Sequence, residues 1–371
     1  MSENAQVELL AQREGEERPT AVPFPVRVDI RSVALTGLFM LAVFYTLYFG
    51  RSFIVPLVLA LLLSFLFNPL VRRLKRAHIP ESVTAAAIVL ALVSTVGYAA
   101  YALSGPASEW IARAPESIQR VESKLRKLRR PVEQVSRAAE QVEKATGGAS
   151  SDAVKVEIQG QTLSAALFGG TQAFLASSLV ICILSFFLLA SGDLFLTKVI
   201  KVIPRLEDKK RAVQIARETE DQISAYLGTT AIINTIFGVV VGVAMWWLGM
   251  PNPALWGVVA GLTNFIPYLG GIACMLILGV VALIQFDSIG QALTVSGVFF
   301  ALNTLEGNLI TPLIVGRQLS LNPVVIFVSV LLWAWLWGIP GSLLAVPIMA
   351  AIKIMCDHIE GLGPIGEFLG H

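Results

Sequence analysis

The chain has 371 residues, of which 55% are hydrophobic and only 15% charged, against about 25% charged in a typical soluble domain. Its net charge of +2 is too small to indicate a nucleic-acid-binding protein. Several uncharged runs are long enough to cross a bilayer, which needs about 20 apolar residues. These features predict an all-α integral membrane protein with six to eight transmembrane segments, because backbone exposed to lipid must satisfy its own hydrogen bonds.

The first half of the chain predicts four spans and two polar helical regions. Residues 1–30 are polar, Glu-rich and interrupted by Pro, which predicts a disordered tail. The predicted spans, three within 31–105 and one within 166–192, are Val33–Phe49, Ser52–Leu70, Val83–Gly105 and Phe174–Ser191. Region 106–165 has apolar residues at heptad spacing, which predicts amphipathic helices. Region 193–224 is basic and predicts an amphipathic helix after Pro204.

The basic residues predict the orientation in the membrane. The run Arg72–Arg76 and the basic residues of 193–224 fall on the same side as the N-terminal tail when four spans precede Gly192. That side is predicted to be the cytosol, with the C-terminal tail 359–371 on it and 106–165 outside. The predicted location is therefore the bacterial cytoplasmic (inner) membrane, with a multi-pass topology.

The apolar half, residues 225–358, contains a weak internal repeat over about 228–285 and 297–357. The matching pairs, at offsets of 69, 70 and 73 residues, are Asn234-Thr235 with Asn303-Thr304, Asn252-Pro253 with Asn322-Pro323, and Ile266-Pro267 with Ile339-Pro340. Each unit consists of a helix, a turn ending in Asn-Pro, and a long apolar segment interrupted by Pro and Gly. Paired interrupted segments are a sequence indicator of a transporter's substrate site.

The length of the interrupted segments predicts their topology. As one helix, Pro253–Gln285 would be about 50 Å long, whereas the hydrocarbon core is about 30 Å thick. Two half-helices that double back at 264–271 fit this thickness better, and the same holds around Gly338–Pro340. We therefore favour two re-entrant helical hairpins in an inverted repeat, with full crossings as the alternative. The hairpin topology places Arg317 in the cytosol and Asp287 outside, as the positive-inside rule prefers.

Glu306 is the only carboxylate well inside the apolar half. An acid within a membrane is a candidate for proton or sodium coupling, and an interfacial carboxylate that pairs with Arg317 or caps a helix is the alternative. The other candidate substrate- or ion-binding residues lie at the two breaks and near Glu306: Asn264, Pro267, Tyr268, Gly270, Asn303, Asn308, Pro312, Gly338 and Pro340. The neutral polar groups suit an uncharged polar solute, or else satisfy backbone groups freed around Pro267.

Small residues and tryptophans in the apolar half predict packing. Gly238/Gly242 and Gly257/Gly261 form GxxxG pairs, which let membrane helices approach closely. Trp246-Trp247 predicts an aromatic anchor at the membrane interface.

No motif predicts enzymatic activity. A phosphate-binding loop, an HExxH helix and a nucleophile elbow are all missing from the sequence, so an ATP-driven pump or an intramembrane protease is unsupported. The three cysteines lie apart in apolar segments and the three histidines form no cluster in the sequence. The sequence therefore predicts no metal or other cofactor.

A series of motifs runs in order through the chain after the tail: Val55–Leu57 to Asn68–Val71, Ile79-Pro80, Ile203-Pro204, Tyr226–Gly228, Asn264–Gly270, Glu306–Asn308 with Thr311-Pro312, and Gly338–Pro347. Together they resemble the autoinducer-2 exporter family of membrane proteins, also called PerM-type permeases. The resemblance implies export of a small polar solute similar to autoinducer-2, or sodium/proton antiport, to which the family has also been linked. Gly271 stands where this family often has Pro, and Thr229 where it commonly has Gln, which leaves the solute open.

The sequence thus predicts a secondary-active exporter of a small polar solute, with H⁺ or Na⁺ as a possible coupling ion. Alternating access would occur around the broken segments, against a scaffold of the first four spans. A cation/proton antiporter centred on Glu306 is the second hypothesis. The third is a non-transporting membrane scaffold whose outer helical region binds a partner. The heptad region and the apolar half predict a homo-oligomer in contact with membrane lipid, and no nucleic-acid partner is expected.

Overall fold

A computed structural model describes residues 30–110, 163–315, 321–359 and 361–370, and every regular element within these residues is helical. The chain divides into two compact units, Met1–Phe49 and Gly50–His371. The first unit contains helix α1, Ile30–Phe49. Most of the predicted outer helical region lies outside the described residues, as does Arg317.

The second unit contains the remaining helices. In chain order they are α2 (Arg51–Arg76), α3 (Glu81–Trp110), α4 (Leu163–Ser191), α5 (Leu194–Val202), α6 (Leu206–Trp247), α7 (Pro253–Thr263), α8 (Leu269–Gln285), α9 (Ile289–Leu305), a π-helix (Glu306–Ile310), α10 (Thr311–Val315), α11 (Pro323–Trp337), α12 (Ile339–His358) and α13 (Gly363–Leu369).

Six helical segments are long and apolar enough to cross a membrane: α2, α3, α4, α6, α12 and the composite segment Ile289–Ile314. Large apolar side chains such as Leu90, Phe174 and Ile232 are exposed on their outer faces. Such surfaces suit hydrocarbon and would be unfavourable in water. The predicted fold class, an all-α integral membrane protein with at least six spanning segments, is confirmed.

Several helices extend beyond their predicted ends, and α3 and α6 are two examples. α3 continues through Pro106 to Trp110. The hydroxyls of Ser104 and Ser108 donate to nearby backbone carbonyls there, as serines do in membrane helices that contain Pro. The basic helix predicted after Pro204 begins at Leu206 and runs without a break into the next span. It forms α6, a helix of 42 residues that is about 63 Å long.

Charged side chains join α6 to α2 and to the link between α4 and α5. Glu220 on α6 accepts hydrogen bonds from Arg72 at 2.7 Å and from Asn68 at 2.8 Å. One turn earlier, Arg217 binds Asp193 at 2.9 Å, and this hydrogen bond lowers the pKa of the Asp193 carboxyl below its usual value. These hydrogen bonds and ion pairs hold α6 against its neighbours. They lie where the charged first part of α6 meets its apolar part.

Helices α6 and α7 cross with their backbones in contact. A Cβ atom at Gly257 would lie 2.5 Å from the carbonyl oxygen of Gly238, and one at Gly261 would lie 2.8 Å from that of Asn234. Any larger residue at these positions would separate the helices. The packing role predicted for the GxxxG pairs is therefore confirmed.

Both interrupted segments double back as helical hairpins. In the first hairpin, α7–α8, a Cβ atom at Gly270 would lie 1.8 Å from the carbonyl oxygen of Thr263, although residues seven apart would be separated by about 10 Å along a straight helix. In the second hairpin, α11–α12, the hydroxyl of Ser329 donates to the carbonyl of Ala345, sixteen residues on, at 3.3 Å. The predicted fold-back is confirmed.

The two hairpins close by the same means. A Cβ atom at Gly270 would lie 1.8 Å from the carbonyl oxygen of Thr263, and one at Gly341 would lie 1.9 Å from that of Trp333. In each case the second helix approaches the backbone of the first through a glycine, and the two glycines are 71 positions apart. Because each hairpin also starts with Pro in the first helical turn, the structure supports the predicted internal repeat.

Candidate functional site

A polar cavity of about 390 Å³ lies where the first hairpin turn meets α6 and the Glu306 segment. Its volume falls within the range of small-molecule sites. Its wall contains these predicted residues: Asn264, Pro267, Tyr268, Asn303, Glu306 and Asn308. Helix α6 adds Tyr226, Thr230 and Asn234. The fold thus brings the first break and the buried acid together.

The cavity lies near the middle of the apolar part of α6. Asn234 is fourteen residues after Glu220 and thirteen before Trp247, which places it about 20 Å from each along the helix. Glu220 belongs to the charged network, and Trp247 is exposed at the helix end, where tryptophans favour the membrane interface. With a hydrocarbon core about 30 Å thick, Asn234 lies near mid-depth.

Glu306 begins the five-residue π-helix Glu306–Ile310. Pro312 follows this turn, and its ring would clash with the carbonyl four residues earlier in a regular α-helix. The wider turn relieves that clash and brings Thr311 over Glu306. The Thr311 N–H donates to the Glu306 carbonyl, and its hydroxyl donates to Oε1 at 2.5 Å. Single π-turns of this kind occur frequently at functional sites.

Two cavities meet at Glu306. The residue is only 7% exposed, yet it lines both the polar cavity and a second, apolar groove of about 240 Å³ between α6 and α9. No Lys, Arg or His is among the described residues that line either space. A buried acid in this position is suited to bind a proton or a small cation.

Two asparagines connect α6 to the first hairpin turn. Asn264 Nδ2 donates to Asn234 Oδ1 at 2.8 Å. The side chain of Asn234 is almost completely buried, and its own Nδ2 has no hydrogen-bond partner among the described residues. A buried N–H without a partner costs about 1–3 kcal/mol, so an acceptor brought within reach of this group would stabilise the site.

Gly271 positions the amide of Asn303. A Cβ atom at residue 271 would lie 2.8 Å from Asn303 Oδ1, so the missing side chain allows the amide to lie against α8. A larger residue would push this amide toward the cavity. Gly271 therefore shapes the cavity wall, to which both it and Asn303 belong.

Tyr268 holds an unfavourable backbone conformation at the first turn. Its φ is +62° and its ψ is −56°, and the N–H of Leu269 donates to the carbonyl of Pro267 at 2.7 Å. A γ-turn with positive φ is strained for a residue with a side chain, at about 1–3 kcal/mol. The ring of Tyr268 packs against the ring of Phe327, with their centroids 6.0 Å apart. This contact links the first turn to the second hairpin.

Four predicted site residues lie away from the cavity wall. Gly270 faces Thr263, and Pro312 follows the π-helix. Gly338 and Pro340 lie at the second turn, and Gly338 is eleven residues beyond Phe327, or about 16 Å along α11. The cavity thus combines the first break with Glu306, whereas the second break, expected as its counterpart, lies elsewhere because the first turn contacts the start of α11 and not its end.

Several lining residues were not among the predicted site residues, in particular Tyr226, Thr230, Asn234 and Thr311. The repeat could have indicated Asn234, because it pairs this residue with Asn303 and both line the cavity. Tyr226 belongs to the motif Tyr226–Gly228, which could have indicated it, whereas no sequence pattern distinguishes Thr230 from other helical residues.

Comparison with known proteins gives the same family over most of the chain. The model of the AI-2E family transporter matches residues 38–361. The AI-2 transport protein TqsA of Escherichia coli (strain K12) is 26% identical, over 84% of this chain and 88% of TqsA. The putative transport protein MT0215 of Mycobacterium tuberculosis is 29% identical, over 88% of this chain and 89% of MT0215. The putative transport protein YrrI of Bacillus subtilis is 35% identical, over 40% of this chain and 42% of YrrI. The last match spans less than half the length of YrrI.

Proposed function

This chain belongs to the AI-2E transporter family, and from that premise we propose that it carries a small polar solute through the cavity at Asn264 and Glu306. The observation that carries the proposal is a polar cavity near mid-depth of apolar helices, with an N–H donor at Asn234 that has no partner among the described residues. Secondary transporters bind their substrates at this depth, beside interrupted helices. The name of the relative TqsA, an AI-2 transport protein, supports AI-2 or a similar solute. We propose that the solute moves outward, as the resemblance to an exporter family implies.

The side chains suggest how the solute is held. The amides of Asn234, Asn264 and Asn303 supply both donors and acceptors, which suit hydroxyl and carbonyl groups. We propose that the first hairpin turn moves between two positions, with Tyr268 and Phe327 as its contact to the second hairpin, while α2 to α4 form the scaffold. Glu306 would bind the coupling proton from one side and release it to the other.

Replacing Asn264 with leucine tests the cavity as the solute path. We expect solute flux into everted vesicles to fall about tenfold or more, because the substitution removes the amide that binds Asn234 and leaves a second buried group unpaired. The flux of AI-2 and of small neutral polyols is measured in parallel. Gln291→Leu, the same change at an exposed amide on α9, is the matched control and should retain wild-type flux.

Wild-type flux in Asn264→Leu vesicles would contradict the cavity as the path. Equal flux with and without the protein, for solutes and for cations, would instead favour a membrane scaffold. A cation/proton antiporter is the second candidate function, because no described basic residue lines either space that reaches Glu306.

We also propose that both termini lie in the cytosol and that the protein resides in the inner membrane. The test is labelling of single cysteines in a variant without Cys182, Cys274 and Cys356. A membrane-impermeant thiol reagent added outside intact cells is expected to label Asp287→Cys and to spare Lys201→Cys. The opposite pattern of labelling would reverse the topology.

A further inference from the structure

An apolar groove of about 580 Å³ runs along the outside of the crossing between α6 and α7. Its lining includes glycines such as Gly238 and Gly257, at which the backbones of the two helices are in contact. Its rim includes Val243 and Leu262, which are 58% and 63% exposed. No described residue that lines the groove is charged. This lining suits an alkyl chain.

The groove and the polar cavity share two lining residues, Asn234 and Phe265. Asn234 is 2% exposed, and its Nδ2 is the donor without a described partner. A buried N–H at the inner end of an apolar groove is unfavourable unless a bound molecule supplies an acceptor. The junction therefore indicates a ligand with a polar group at this point.

The length of the groove matches one leaflet of a bilayer. From Asn234 to Trp246 is twelve residues, or about 18 Å of helix, and half of the hydrocarbon core is about 15 Å. Trp246 is 71% exposed at the outer end, as expected for an indole at the membrane interface. One alkyl chain would extend from mid-depth to the surface.

We propose that the groove and the cavity together bind an amphiphile, with its hydroxylated head in the cavity at Asn234 and one alkyl chain in the groove toward Trp246. The proposal rests on the proposed function and narrows the solute class to a polar group that carries a tail. The head is kept out of hydrocarbon by the cavity amides, while the tail remains in an apolar environment. A helix from a second copy of the chain is the other occupant suited to a glycine groove, and the test below distinguishes it from an amphiphile.

The test uses a monoacylglycerol with a photoreactive diazirine in its alkyl chain, added to the full-length protein in nanodiscs. In the wild type we expect the label to map to residues of α6 and α7 that line the groove. Val243→Trp fills the groove and should lower this labelling about five- to a hundredfold. Asn234→Leu removes the donor and should lower it about three- to tenfold. Val280→Trp, at an exposed valine of α8 outside the cavities described above, is the matched control and should label like the wild type.

Two readouts separate this proposal from the proposed function. Label that maps away from the groove in the wild type, or that is unchanged in Val243→Trp, overturns the amphiphile site whatever the flux. The amphiphile site is also overturned if the wild type takes no label and Val243→Trp has fewer subunits in native mass spectrometry. The groove would then be a contact between copies of the chain. Loss of label in Val243→Trp, with labelling retained in Val280→Trp, supports the amphiphile site, and the Asn264→Leu flux tests the proposed function independently.

Discussion

Replacing Gly270 with alanine is expected to prevent the first hairpin from closing. The new Cβ atom would lie 1.8 Å from the carbonyl oxygen of Thr263, and no rotamer change can move a Cβ atom or a backbone oxygen. The backbones of α7 and α8 would have to separate, which would disrupt the packing between the two helices. We expect the free energy of unfolding to fall by at least about 3 kcal/mol, which is at the high end for a single substitution.

Thermal unfolding of the purified protein in detergent measures this loss, as a decrease in Tm of at least about 5 °C. Gly297→Ala on α9 is the control, because its added Cβ would meet no atom within 4 Å. The neighbouring Gly271→Ala should cost less stability, since its Cβ meets the movable amide of Asn303, yet it should reduce solute flux. A Gly270→Ala protein with the Tm of the Gly297→Ala control would show that the hairpin closes differently.

The fold could be predicted in outline because its main constraint is one-dimensional. A bilayer of fixed thickness limits helix length, so the length of Pro253–Gln285 and its Pro and Gly residues were enough to predict a hairpin. It was harder to predict that α6 is one continuous helix. The sequence indicated a charged helix followed by an apolar span, and no residue between them shows whether the two are joined. The π-helix was not predicted, because Pro312 is equally compatible with a simple kink.

The candidate site was predictable only where a residue differs from its surroundings. Asn264 and Glu306 are polar residues in apolar segments, and both line the cavity. Asn234 lines it because the glycine crossing brings α6 against the first hairpin, which is a contact in three dimensions. The repeat indicated that Gly338 corresponds to the first break. It contained no information on which end of the second hairpin would meet Tyr268.

Replacing Glu306 with glutamine is expected to reduce solute flux about ten- to a hundredfold and to abolish its dependence on a pH gradient. Glutamine has nearly the same shape, and its Oε1 can still accept the hydroxyl of Thr311. It cannot take up or release a proton, and it cannot balance the charge of a cation. A fall in flux of this size is expected when one charge-assisted interaction in a buried site is lost.

The comparison of binding with flux distinguishes the roles of Glu306. If the amides of Asn234, Asn264 and Asn303 hold the solute, its equilibrium binding to Glu306→Gln should stay within a few-fold of wild type while turnover falls. Glu367→Gln, at an exposed carboxylate of α13, should change neither quantity. Flux that survives Glu306→Gln would rule out obligatory proton coupling through this residue and leave the solute path intact. Loss of cation/proton exchange with no effect on any solute would favour the antiporter, because the buried acid would then serve the ion alone.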